Sequence, residues 1–399
     1  MKILQLGKFY PIFGGVEKVM YDLTTGLSER GIKCDMLCTW MDGFAHNSHG
    51  AFYKQLNPNG WLICVDALAK VKATMIAPSM IKELRRLIRK ENYDIIHVHH
   101  PDPMAAMALY LSGYDGKVVL HWHSDIVKQV TLLKYYKPIQ NWLIKRADII
   151  VGTTPVYVTE SPHLAKARNK LTYLPIGINQ VPGAGDNVEE NETIAKKVAA
   201  FRAKYPGKKI IFALGRLVEY KGYPYLVDAA KDLPDNYVIL IGGTGPMHDE
   251  LVARIDAAGL DRKVKLIGFV KDEDLPVYYR ACDVFSFCSI MKSEAFGIAQ
   301  IEAMSCGKPV VATRIPGSGV SWVNGHGESG LNVEICDPKA IANAIMAITK
   351  DEQTYNAYCQ GALDRFNRMF TRKAMIDGCL NIYGKVTYLI HEQLNARGY

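Results

Sequence analysis

Apolar and polar positions along this chain switch repeatedly between short unbroken apolar runs and helical spacing. Lys2–Gly7, Cys34–Thr39, Asp94–His99, Val118–His123 and Ile149–Gly152 read as strands. Between them, Gly14-Gly15 opens a helix from about Val16 to Arg30, and Pro78–Lys90 has an apolar stripe with a basic opposite face. Strands alternating with helices predict a parallel, doubly wound sheet.

Around Pro182–Glu192 the pattern lapses into Pro182-Gly183-Ala184-Gly185-Asp186 and a run of glutamates, which reads as a polar linker. The alternation then restarts. Ile210–Leu214, Tyr237–Ile241, Val264–Ile267, Val284–Phe287 and Pro309–Thr313 are expected strands. Tyr223–Leu233, Leu275–Cys282 and Phe296–Cys306 are expected helices. The fold class is therefore α/β, with two doubly wound Rossmann-like domains facing across a cleft, over residues 1–181 and 193–372. Residues 373–399 are expected to form a helix packing back on the first domain. In such sheets ligands bind outside the carboxyl ends of strands, at helix starts.

A length of 399 residues suits two cores better than one. Hydrophobic residues make up 49% and charged residues 22%, the balance of a soluble globular protein. The net charge of +8 sits in the first half: residues 1–180 hold 22 Lys and Arg against 14 Asp and Glu, and the remainder holds 26 of each. That asymmetry suggests an anionic partner for the first domain, such as a membrane surface or a phosphate-bearing acceptor; a solvated basic face is the plain alternative. Nine cysteines without a Cys-x-x-Cys pair read as reduced, mostly buried thiols of a cytoplasmic protein. The start of the chain is too soon interrupted by Lys8 for a signal peptide, and no run reaches the 18 or so apolar residues of a membrane span.

The candidate chemistry falls at expected strand ends. Gly215-Arg216-Leu217 and Lys221-Gly222 place a planar guanidinium and a compact ammonium where they can hold a diphosphate from two sides. Gly242-Gly243-Thr244-Gly245-Pro246 is a second glycine turn where a backbone can approach a ligand, and it lacks the Gly-x-Gly-x-x-Gly form of an NAD site. Glu294 and Glu302 flank the start of an apolar helix. Six helical residues between Phe296 and Glu302 rise about 9 Å. The two carboxyls of a retaining glycosidase stand about 5–5.5 Å apart. The pair therefore reads as two anchors on one elongated ligand, Glu294 on sugar hydroxyls and Glu302 on ribose hydroxyls. Backbone N–H groups near Phe296, Gly297 and Ile298 would face sugar or phosphate at the helix start. Gly14 and Gly15 offer a similar approach to a phosphate or an acceptor.

His123, at the end of a strand, can donate a hydrogen bond to a sugar or acceptor hydroxyl, though a buried and satisfied histidine is the commoner fate. His97, His99 and His100 make a second cluster. His97 and His99 share a strand face but lack a carboxylate to complete a metal set, so no metal is expected. Asp272-Glu273-Asp274 has an Asp-x-Asp form, but it precedes Leu275–Arg280 and reads as helix capping.

Together, Gly14-Gly15, His123-Ser124-Asp125, Gly215-Arg216 with Lys221-Gly222, Gly242–Pro246 and the Glu294 and Glu302 pair resemble the motifs of retaining glycosyltransferases of the GT-B fold, family 4, over nearly the full chain. Gly307-Lys308-Pro309-Val310-Val311-Ala312-Thr313 is similar to the family's next helix-to-strand step. The resemblance implies that Arg216 and Lys221 bind the donor diphosphate, with Gly15 and Gly243 close to it. Glu302 would bind ribose, Glu294 the sugar ring, and Phe296, Gly297 and Ile298 would give backbone contacts. Backbone near Phe269 and Val270 would read the base. His123, with Gly14 and Gly15, would meet the acceptor. Gly152-Thr153-Thr154-Pro155 departs from the Ser-Pro that relatives often carry. The implied reaction retains configuration, needs no cofactor or obligatory metal, and uses domain closure to exclude water.

A nucleotide-diphosphate sugar would be the co-substrate. The run His123-Ser124-Asp125-Ile126-Val127 resembles mannosyl-transferring members, which favours GDP-mannose, with a UDP-sugar as runner-up. A glycan or lipid-linked saccharide is the expected acceptor. The bases Lys82, Arg85, Arg86, Arg89 and Lys90, with Lys134-Tyr135-Tyr136-Lys137, Trp142, Lys145 and Arg146, suit peripheral contact with an anionic membrane. No nucleic-acid partner is expected. A nucleotide-sugar epimerase or hydrolase, and a binding module without turnover, are the competing readings.

Overall fold

A computed structural model describes residues 1–12, 14–41, 51–71, 74–126, 130–183 and 188–395. The chain divides into two units, Met1–Gly177 with Arg372–Tyr399, and Ile178–Thr371. The division falls a few residues from the boundaries expected from composition.

The first unit contains the strands β1 (Lys2–Tyr10), β2 (Lys33–Trp40), β3 (Ala51–Asn57), β4 (Gly60–Asp66), the short pair β5 (Ala69–Val71) and β6 (Thr74–Ile76), β7 (Ile95–His100), β8 (Lys117–Trp122), β9 (Ile149–Gly152) and β10 (Leu171–Tyr173). Its helices are α1 (Gly15–Glu29), α2 (Ser79–Glu91), α3 (Pro103–Ser112), α4 (Val130–Arg146) and α5 (Pro155–Thr159). Eight strands form one sheet in the order β10-β9-β8-β7-β1-β2-β4-β3, parallel except where β3 pairs with β4. Every residue of β7 is buried, as expected of a parallel strand covered on both faces. In α2, Met80, Leu84 and Leu87 face inward at helical spacing, and Asn92 ends the helix at φ 52°.

The second unit contains β11 (Lys209–Leu214), β12 (Tyr237–Gly242), β13 (Val264–Gly268), β14 (Val284–Phe287), β15 (Val310–Arg314) and β16 (Gly330–Glu334). Its helices are α6 (Val188–Arg202), α7 (Tyr223–Ala229), α8 (His248–Ala257), α9 (Leu275–Ala281), α10 (Ile298–Ser305), α11 (Val320–Val323), α12 (Pro338–Ile348) and α13 (Glu352–Met369). The six strands are all parallel, in the order β13-β12-β11-β14-β15-β16. The last helix, α14 (Arg372–Asn395), belongs to the first unit. Its buried stripe of Met375, Ile376, Cys379, Ile382, Tyr383 and Val386 packs there. Ile376 lies over Gly26 of α1, where an added Cβ would stand 1.9 Å from its Cδ1. Arg372 pairs with Glu29 at 2.8 Å. Burying each large apolar side chain of that stripe contributes roughly 1.5–3 kcal/mol.

Two expectations need correction. The polar stretch expected as a linker to Glu192 is helix from Val188, with Glu189 and Glu190 in the opening turn of α6, where the helix dipole favours acids, and Glu192 just after it. The helix expected from Phe296 starts at Ile298, because Gly297 adopts φ 82° and ψ 73°. The cysteines are free thiols, and Cys34, Cys38, Cys64, Cys282, Cys288 and Cys379 are buried.

Candidate active site

In the second unit the chain steps outward from β11 to β12 and β13, then returns to the other side of β11 as β14. Such a reversal leaves a crevice outside the carboxyl ends of the two central strands, the usual ligand position of an open α/β sheet. The loops leaving β11 and β14 meet there. Gly222, at φ 69°, lets them touch: a Cβ would lie 2.0 Å from the Cys288 carbonyl oxygen. Across this contact Lys221 Nζ donates to Glu294 Oε2 at 2.5 Å, with side-chain exposures of 14% and 16%. Ser289 Oγ donates to the same oxygen at 3.4 Å, and the Phe287 ring lies 5.1 Å from the ammonium. Two residues read separately from sequence are thus one ion pair. Arg216 is exposed, with Nη2 3.5 Å from the Tyr220 hydroxyl.

The Gly242–Thr244 turn is zipped to the Gly215–Leu217 turn by Gly215 N–H to Gly242 O at 3.0 Å and Leu217 N–H to Thr244 O at 2.9 Å. Gly243 already donates its N–H to Gly268 O at 2.7 Å. Its part is close packing of the two turns, and its N–H is not free for a phosphate. Phe296 is buried, its ring edge-on to Phe370 at 5.9 Å, so it serves the core. Gln300 Nε2 donates to Phe296 O at 3.0 Å and holds the turn before α10. Gln300 N–H already donates to Gly297 O at 3.0 Å, so the N–H groups that open α10 toward an anion are those of Ile298 and Ala299. Glu302, on that helix, accepts a hydrogen bond from Tyr279 at 2.6 Å. Burial raises its pKa and the charge of Asp272 adds to this, while the Tyr279 bond opposes them. Val270 is buried just beyond β13, beside an exposed Phe269. The capping expected at Asp272–Asp274 fails: Asp274 precedes α9, but its side chain makes no cap bond.

In the first unit the reversal lies between β1 and β7. Gly14 caps α1, accepting from Lys18 N–H at 3.1 Å, and Gly15 is its first residue. The buried Glu17 carboxylate sits where a Gly14 side chain would go, so this helix start already holds an anion of its own. The Lys8 N–H donates to Asp102 at 2.5 Å across the reversal. Burial lowers the Lys8 pKa and raises that of Asp102.

His123 leaves β8 with its backbone N–H on His100 O at 3.1 Å. Its Nε2 lies 2.9 Å from His99 Nδ1, and His99 Nε2 lies 2.8 Å from Gln5 Oε1. Gln5 Nε2 donates to the Tyr383 hydroxyl at 3.0 Å, which lies 2.6 Å from His97 Nδ1. The His121 ring stacks on His123 at 3.9 Å. All four imidazoles are buried, and burial holds them neutral, with His121 lowered to about 3. They are not fully satisfied, because both nitrogens of His121 and Nδ1 of His123 have no partner among the described residues. His99, His121 and His123 bring one nitrogen each within 4.8 Å of the others, the spacing of a metal set. Within this set His99 Nδ1 and His123 Nε2 lie 2.9 Å apart, and the His121 ring stacks on that of His123.

Lys221, Glu294, Gly243, Gly297, Ile298, Val270 and Glu302 therefore surround the strand ends of one sheet, whereas Gly14, Gly15 and His123 sit at strand ends of the other. Sequence reasoning missed Ser289, Tyr279, Gln5, His99 as a hydrogen-bond partner, and Tyr383.

The family model for glycosyl transferases group 1 matches residues 195–364, and that for glycosyltransferase family 4 matches residues 13–180. The O-antigen chain mannosyltransferase C of Escherichia coli is 31% identical over 391 residues, spanning 96% of this chain and 98% of that one. This chain is a family 4 glycosyltransferase. The D-rhamnosyltransferase WbpZ of Pseudomonas aeruginosa is 29% identical, over 93% and 92% of the two chains. Anabaena Alr3699/HepE, solved with UDP, matches with a TM-score of 0.73 at 19% identity, over 96% of this chain and all of that one. That likeness supports the GT-B fold of two Rossmann-like units.

Proposed function

We propose that this glycosyltransferase moves mannose from GDP-mannose to a glycan or lipid-linked saccharide in polysaccharide synthesis, with retained anomeric configuration. The observation that carries the reading is the Lys221–Glu294 contact at the central crevice of the second unit. Arg216 and Lys221 neutralise the charge that grows on the leaving diphosphate, and Glu294 holds the sugar hydroxyls. The bond from the anomeric carbon to the phosphate oxygen breaks as a bond to the acceptor oxygen forms on the same face. The acceptor proton passes to the leaving phosphate. Glu302 takes the ribose hydroxyls, the backbone around Val270 meets the base, and His123 contacts sugar or acceptor. No step in this reading calls on a metal ion or a cofactor.

Mannose is favoured by the name of the Escherichia coli relative and by the run from His123 to Val127, whose last residue lies outside the described set. A UDP-sugar is the second reading, because HepE was solved with UDP and with UDP-glucose. No described helix is long and apolar enough to cross a membrane. A groove of about 640 Å³ lined by Lys137, Lys145, Lys166, Lys170 and His163 supports an anionic acceptor or lipid surface for the first unit, at the inner face of the cytoplasmic membrane. Tyr136 is buried against His100 and takes no part in that surface.

The test is transfer to a lipid-linked saccharide acceptor, with GDP-mannose and UDP-sugars compared as donors and the product's anomeric configuration read by NMR. GDP-mannose consumed only with acceptor present, giving an α-linked product, is the expected result. Turnover of a UDP-sugar alone moves the assignment to the second reading. Donor conversion without acceptor makes the protein an epimerase or hydrolase.

A further inference from the structure

We propose that Tyr383 of α14 is a positioning residue for His123: through Gln5 and His99 it sets the proton of His123 on Nε2 and leaves a bare Nδ1 that accepts a hydrogen bond from a substrate hydroxyl. The inference rests on the reading of His123 as a substrate contact. It reverses the direction expected from sequence, where His123 was a donor.

One buried chain of hydrogen bonds fixes the proton on each ring in turn. Tyr383 is fully buried; its hydroxyl accepts from Gln5 Nε2 at 3.0 Å and lies 2.6 Å from His97 Nδ1. With its amide nitrogen held by Tyr383, Gln5 turns its carbonyl Oε1 to His99 Nε2 at 2.8 Å. A carbonyl only accepts, so His99 Nε2 carries the proton. A neutral imidazole has one proton, so His99 Nδ1 accepts. The nitrogen facing it at 2.9 Å, His123 Nε2, must donate. His123 Nδ1 is left with a lone pair, buried and without a partner among the described residues. A buried acceptor without a bond is unfavourable, and a substrate hydroxyl supplies what it lacks. His121 is stacked on the ring's face at 3.9 Å, and the backbone bond to His100 O holds the main chain that carries it. Gln5 and Tyr383 stand 378 residues apart in sequence, so the last helix reaches the first strand to set this proton.

The experiment uses the full chain labelled with ¹⁵N-histidine, with His123→Gln to assign the His123 signals. Wild-type protein is expected to show His123 with a proton on Nε2 and a bare Nδ1. Gln5→Leu is expected to mix the two tautomers and lower kcat about 10- to 100-fold, the range seen where a partner that orients a metal-bound histidine is removed, with donor KM within about twofold. Tyr383→Phe, which removes one oxygen, should move both readouts in the same direction by less, and it carries the test if Gln5→Leu does not fold. A wild-type His123 protonated on Nδ1, or a tautomer and kcat both unmoved in Tyr383→Phe and Gln5→Leu, overturns the inference. Normal transfer by His123→Gln removes the substrate-contact reading instead, and the spectra still read the tautomer.

Discussion

Both units bring polar residues to the carboxyl ends of their central strands, and they treat them in opposite ways. The second unit keeps charge: Lys221 and Glu294 face each other with part of each side chain in water, and Arg216 reaches solvent. The first unit buries His97, His99, His121 and His123 and holds them neutral. A leaving diphosphate needs fixed charge close by. A hydroxyl needs only a correctly placed lone pair or proton, and the hydrogen bond on the imidazole's other nitrogen fixes which one it meets. The contrast teaches that one architecture can specialise two sheets through the residues it brings to the strand ends and how far water reaches them.

The largest expected effect falls on the charged side. Lys221→Ala and Glu294→Ala should each lower transfer by at least about 10²–10³-fold, the cost of losing one preorganised charge contact. Circular dichroism should show a folded chain in both, and near-wild-type turnover in either would remove the pair from the site.

Acid should break the neutral side first. His97, His99, His100, His121 and His123 have folded pKa values below the unfolded value near 6.5. Between those values the unfolded chain binds protons that the folded chain refuses. Their stability contribution is whole above about pH 6.5 and shrinks as pH falls, by up to about 1.4 kcal/mol per pH unit for each histidine. The two histidines of the second unit, His248 and His326, are exposed. Four of the five tryptophans, Trp40, Trp61, Trp122 and Trp142, lie in the first unit and report on it. Their urea midpoint should drop between pH 7 and pH 5, and a flat midpoint would contradict the neutral-histidine account.

Gly297→Ala sharpens the geometry of the charged side. A Cβ there would sit 2.7 Å from Gln300 Nε2 and from the Phe287 ring, on a backbone at φ 82°. The strain should cost about 1–3 kcal/mol of stability by urea unfolding and weaken donor binding at α10. The smallest effect separates two helix starts in the same unit. Asp337 accepts from Ala340 N–H at 2.9 Å, so Asp337→Ala should cost about 1 kcal/mol. Asp274 makes no cap bond, so Asp274→Ala should stay within about 0.5 kcal/mol. Equal losses would show that the cap geometry is misread.

Most parallel strands were legible because burial on both faces writes an unbroken apolar run, as in β7 and β12. The turn glycines were legible because residue type carries the constraint. Gly297 was still misplaced inside a helix, since the apolar pattern from Phe296 runs through it. The antiparallel pair of β3 and β4 was missed, although Asn57-Pro58-Asn59-Gly60 carries turn residues between them. Lys221 and Glu294 were readable as chemistry but not as partners, because their meeting depends on β14 returning beside β11. Gln5 and Tyr383 left no local signal, since their role exists only once α14 packs against β1.

The most direct test of the charged site is a thermal-shift titration with GDP and GDP-mannose, wild type beside Lys221→Ala. Ligand at about 100 times its dissociation constant is expected to stabilise the wild type by about 2.7 kcal/mol and the variant by far less. An equal shift in the two proteins would contradict the placement of the donor diphosphate at Lys221.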